Sequence, residues 1–107
     1  GAPRRWFLMA LASLEAISRS FADRLLQLRG QLPGPDGPEP FELLIFRGIS
    51  SSLTHPTAFD PDQPALPDGA VVEAATLLRA PLRPDAPEPL AGPAPIDHFL
   101  NPEAWQG

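Results

Sequence analysis

RLLQLRGQLPGPDGPEPFELLIFRG, residues 24–48, is the stretch on which the fold turns. In its first part Leu26, Leu28, Gly30 and Leu32 alternate with Gln27, Arg29 and Gln31. That is the period of two expected of a half-buried strand, and Gly30 weighs against a helix interior. The middle, PGPDGPEP at 33–40, reads as a turn. In the last part Phe41, Leu43 and Ile45 fall on one face and Leu44 and Phe46 on the other. Apolar residues on both faces describe a central strand covered on both sides. Two strands and the turn between them make a hairpin.

Upstream the period is helical. From Pro3 to Ala22, Phe7, Leu11, Leu14, Ile17 and Phe21 form a stripe with Ala10 beside it, while Ser13, Glu15, Ser18, Arg19 and Ser20 lie largely opposite. The spacing predicts an amphipathic helix over 3–22, with Pro3 suited to its first turn. The paired arginines before Trp6-Phe7-Leu8-Met9 and the small residues Ala10-Leu11-Ala12 have some look of a twin-arginine signal. The helical pattern runs past that point, so an ordinary helix is the reading taken.

Downstream, residues 48–69 read as a long loop that ends in Leu66-Pro67-Asp68-Gly69, a turn with its preferred residues. A third strand is expected at 70–79, AVVEAATLLR. Beyond it APLRPDAPEPLAGPAP is too rich in proline for a helix or a central strand and should run extended across the surface. Ile96, Phe99, Leu100 and Trp105 would let the tail dock as one or two short helical turns. The expected fold class is therefore α+β. One domain spans 1–107, with an N-terminal amphipathic helix on a small antiparallel sheet of about three strands; a half-open barrel is the variant.

Composition narrows the function. The chain has 107 residues, of which 16 are proline, and a net charge of −5 with no lysine and no cysteine. An acidic chain lacks the basic face that a general nucleic-acid binder needs, so no nucleic-acid partner is expected. Disulfides and thiolate metal sites are excluded. No apolar run reaches the roughly 20 residues that span a bilayer.

The chemistry-bearing residues cluster in RGISSSLTHPTAFDPDQPALP, residues 47–67. Ser52, His55 and Asp60 have the residue types of a hydrolytic triad, but triad members converge from separate parts of a fold, and no G-x-S-x-G elbow is present. His55, Asp60, Asp62 and His98 lack the spacing that places metal ligands on one helix face. No catalytic residue, metal or cofactor is assigned. Hydroxyls that satisfy backbone groups in tight turns, and Asp60-Pro61-Asp62 as a turn, make the loop a scaffold first and a recognition surface second. For recognition the candidates are Arg47, Ser50, Ser51, Ser52 and His55, with the Arg47 fork suited to a carboxylate or phosphate.

Ile45-Phe46-Arg47-Gly48, Ser50 to Ser52, Pro56 to Asp62, and Pro64, Leu66 and Pro67 follow a pattern of the form I-F-[RK]-G-[FY]-S-S-S, P-T-A-F-D-P-D, P-x-L-P. In this the chain resembles a family of small uncharacterised proteins from cyanobacteria and plant plastids. Leu77 to Pro81 also agrees, while Ile49 stands where the pattern has an aromatic residue. The resemblance implies a photosynthetic host and a role tied to plastid or thylakoid biology, and it carries no assigned activity. The leading expectation is a non-enzymatic accessory or assembly-type module that binds a protein partner, cytoplasmic or thylakoid-associated. The alternative is a small-ligand or anion-binding domain, conceivably a hydrolase, using Arg47 and Ser50–Ser52. Peripheral membrane contact through Arg4, Arg5, Trp6 and Phe7 comes third.

Overall fold

Helix α1 covers Ala2–Ser18, and strands β1 Arg24–Gly34, β2 Gly37–Phe46, β3 Ile49–Ser52, β4 Val71–Arg79 and β5 Pro89–Ala94 follow. Helix α2, Ile96–Phe99, and a 3₁₀ turn at Pro102–Gln106 close the order. This is a computed structural model, and it describes residues 2–34, 37–52, 71–83 and 85–106. The strands form one open antiparallel sheet in the order β3-β2-β1-β4-β5. The α+β class holds, but among the described residues the sheet has five strands where about three were expected, and it is an open sheet rather than the half-open barrel given as the variant.

Both additional strands have a physical origin in residues that read as loop. Arg47 and Gly48 take φ of +51° and +84°. Left-handed geometry at both central residues is the mark of the two-residue type I′ hairpin, whose twist matches that of its strands. Ile49–Ser52 therefore turns straight back along β2, with Ile49 opposite Phe46 and Ser52 opposite Leu43. At the far edge, Pro89–Ala94 pairs with β4 through two register shifts. An edge strand tolerates proline because one of its sides needs no donors.

The expected turn at 33–40 is also mostly strand. Gly34 pairs with Gly37 and Pro33 with Pro38, leaving only residues 35 and 36 between β1 and β2. The alternation of ladder bonds explains how the prolines fit. Phe46 and Ile49 flank a two-residue turn and so exchange hydrogen bonds, which aims the even-numbered residues of β2 away from β1. Pro38 and Pro40 share that parity, and among the described residues β3 pairs with β2 over residues 43–46. Their missing N–H groups face a side on which no described strand lies. Pro33, opposite Pro38, faces away from β2, and among the described residues β4 pairs with β1 as far as Gln31.

One face of the sheet holds the core. Leu26 and Leu28 of β1, Phe41, Leu43 and Ile45 of β2, and Ala75 and Leu77 of β4 pack with Ala10 and Leu14 of α1 and with Ile96, Phe99 and Trp105. Helix α1 lies on β1 and β2, whereas α2 lies on β4. The Trp105 indole N–H donates to the Phe99 carbonyl at 2.8 Å, and its ring stacks on Phe21 at a centroid distance of 6.1 Å. Arg24 reaches the Trp105 carbonyl through Nη1. The docked tail expected from the sequence is thus present as α2 and the 3₁₀ turn.

Helix α1 stops at Ser18 rather than at Ala22, and Ser18 is fully buried instead of facing outward. Its hydroxyl donates to the Glu15 carbonyl at 2.7 Å and accepts from the Gly48 amide at 2.7 Å. Bonds from the Ser20 amide to Ile17 and from the Phe21 amide to Ser18 tighten the exit. A serine that bonds back into its own helix while capping a distant turn favours ending the helix there. Its burial fixes the β2–β3 turn against α1.

Candidate binding cleft

The opposite face of the sheet divides into two halves. Towards the β1–β2 turn it is polar: Gln27 Nε2 donates to Glu42 Oε2 at 3.0 Å, and Arg29 Nε lies 3.6 Å from Glu42 Oε1. Towards the β2–β3 turn it is apolar. There Leu25 of β1, Leu44 and Phe46 of β2, and Ile49 of β3 form the floor of an open cleft of about 650 Å³, with Pro81 and Leu82 as a wall. Ala22, Asp23, Arg47 and Ser51 supply its rim. Ile49 is 66 % exposed, one of the few large apolar side chains presented to solvent.

The type I′ turn positions Arg47. Its guanidinium carbon sits 4.8 Å from the centre of the Phe46 ring, and Nε donates to the Ala22 carbonyl at 3.2 Å. A left-handed arginine is held at a cost that Asn or Gly would avoid, and such positions are enriched where a side chain has a role in function. Gly48 beside it is held by its backbone, since at φ +84° any Cβ is strained, whereas the Arg19 side chain it would meet can swing aside.

Strand alternation separates the serine candidates. Ser51 lines the cleft. Ser50 falls on the helix side, where its hydroxyl donates to Glu15 Oε2 at 2.7 Å. The Ser52 backbone pairs with Leu43, and His55 lies outside the described residues. Arg47 and Ser51 are therefore brought to one rim, and Ser50 is not among them. The sequence reading missed Ile49, Pro81 and Leu82. Arg47-Gly48 as a type I′ turn was the signal that would have placed Ile49 on the same face as Leu44 and Phe46.

Among the described residues no cluster of His, Asp or Glu side chains is arranged to hold a metal ion. None of the described helices is long and apolar enough to cross a membrane. The Asp97 and His98 side chains are exposed on α2, away from the cleft lining.

Fold and cleft together define a small α+β domain in which helices cover one sheet face and an apolar cleft marks the other. The chain belongs to the DUF7734 family, a domain of unknown function, whose model matches residues 11–100. That span takes in all the strands and α2. The comparisons with curated proteins and with solved structures found no match.

Proposed function

We propose that the chain is a non-enzymatic accessory module that binds a protein partner through the cleft between β2, β3 and the 80–82 segment. The observation that carries this reading is the apolar cleft floor, with half-buried Leu44 and Phe46 leading to the exposed Ile49. Leu44, Phe46 and Ile49 converge on the face that no described helix covers, and large exposed apolar patches mark interaction sites. Arg47 on the rim, resting on Phe46, has the residue type and position of an interface anchor. The resemblance to cyanobacterial and plastid proteins supports a partner in photosynthetic cells, in the cytoplasm or beside the thylakoid.

The anion-binding alternative has less behind it. Arg47 Nε already donates to the Ala22 carbonyl, and Ser50 is committed to the Glu15 carboxylate, whose charge would repel an anion. The test is comparative capture from fractionated photosynthetic lysates, followed by reconstitution with the purified partner. Wild type is set against Ile49→Asp and Arg47→Ala, with a matched thermal melt for each. The expected result is a partner retained by wild type and weakened at least about tenfold by Ile49→Asp, the cost of placing a charge in an apolar contact. Equal retention by a folded Ile49→Asp variant would refute the reading.

A further inference from the structure

We infer that the partner enters as an extended segment that adds a strand to the outer edge of β3, with alternate apolar side chains over the cleft. This rests on the reading of the cleft as a protein-binding site and says what kind of polypeptide it takes. The two edges of the sheet differ in chemistry. At β5, Pro89 and Pro93 lack donors, and Gly92 at φ +94° together with two register shifts breaks the ladder. Those are the devices by which edges are kept from pairing. At β3, Ile49-Ser50-Ser51-Ser52 contains no proline, glycine or charge.

The ladder says which groups β3 offers. Because Ile49 and Phe46 close the type I′ turn, Ile49 and Ser51 direct their N–H and C=O groups at β2. Ser50 and Ser52 direct theirs outward, where no strand of the described residues pairs with them. An incoming strand satisfies these groups, as in other cases of strand addition. Its residues opposite Ile49 and Ser51 fall on the cleft face, and the residue between them falls on the side of Glu15.

The surrounding charges set the pattern. Arg47 and Arg19 are both exposed and flank the turn, Arg19 lying against Gly48. Asp23 on the rim is exposed and lies 3.9 Å from Arg24. A strand antiparallel to β3 runs towards the turn, so it carries an apolar residue, a polar or basic residue facing Glu15, a second apolar residue, and then a carboxylate for the two arginines.

A synthetic peptide of repeating valine and arginine that ends in aspartates is the probe, titrated against the full chain by fluorescence anisotropy. Its counterpart is N-methylated at the residue facing Ser50, which removes a backbone donor and leaves every side chain in place. Wild type is expected to bind the parent at least about tenfold more tightly than the methylated peptide, the scale of one lost hydrogen bond. Ser50→Pro, which deletes the outward N–H, should weaken parent binding about tenfold relative to Ser50→Ala, which loses the same Glu15 contact but keeps the donor. Equal binding of both peptides would overturn strand addition while leaving the cleft as a docking site for side chains. Absence of binding by the parent peptide would overturn it as well, and the cleft reading would still be decided by Ile49→Asp. If Ser50→Pro fails to fold, the peptide pair alone decides between strand addition and side-chain docking.

Discussion

Gly30→Ala should be the most damaging single-methyl change in the sheet. Between Arg29 and Gly30 the pairing of β1 with β4 shifts register, so that Arg29 faces Ala74 and Gly30 faces Val72. The extra residue, Glu73, arches the β4 backbone over β1. A Cβ on Gly30 would lie 2.1 Å from the Val71 carbonyl oxygen and 2.6 Å from Cε1 of Phe41, its partner on β2. Carbonyl and ring both belong to ordered strands, so relief requires β1 and β4 to part by roughly 1 Å at the bulge. Overpacking of this kind costs about 1–3 kcal/mol, and one or two weakened ladder bonds add about 1 kcal/mol each. The lower entropy of an unfolded alanine returns about 0.5–1 kcal/mol. The net loss is about 3 kcal/mol, a drop in Tm of roughly 12–24 °C for a chain of this size. Urea and thermal unfolding followed by circular dichroism would measure it. Adding Phe41→Leu should not restore the loss, because the carbonyl clash persists and a buried ring is gone. A loss below about 1 kcal/mol would show that the Val71 carbonyl does not overlie Gly30, and the bulge would be misplaced.

Ser18→Ala should cost about 2 kcal/mol in urea unfolding, since it leaves the Gly48 amide without its acceptor beside a buried helix end, whereas Ser50→Ala should cost about 0.5–1 kcal/mol for a partly exposed bond to Glu15. A reversed order would mean that α1 is not latched to the turn through Ser18. Gly48→Ala should cost about 1–2 kcal/mol, because its φ of +84° is unfavourable to any residue with a Cβ and Arg19 must also give way. A thermal melt indistinguishable from wild type would argue against the type I′ turn.

Periodicity alone made the central elements legible. Leu26 and Leu28 alternate with Gln27 and Arg29 as the strand they form, and the helix stripe through Leu14 meets them in the core. What stayed hidden depended on the third dimension. Pro38 and Pro40 fit β2 because their parity turns the missing N–H groups away from β1, a fact of ladder alternation rather than of residue type. Ser18 reads as a solvent residue by spacing, and only the distant Gly48 amide explains its burial. For the candidate site, Arg47 was visible as a strand-terminal cation. Ser50 and Ser51 could not be told apart until the two-residue turn fixed which face each takes.

The placement of Trp105 bears on how the chain is made. Its ring rests on Phe21 and its carbonyl receives a bond from Arg24, 81 residues earlier. Helix α1 and the β1-β2-β3 meander join segments close in sequence and can begin to assemble while synthesis continues. The β4 flank of β1 is bare at that stage, and the half of the core face beneath α2 is sealed only when Trp105 has cleared the ribosome. Until then the Phe21 ring and the Arg24 side chain lack the group that covers them, so an assembly begun among neighbouring segments is completed by a contact from far along the chain.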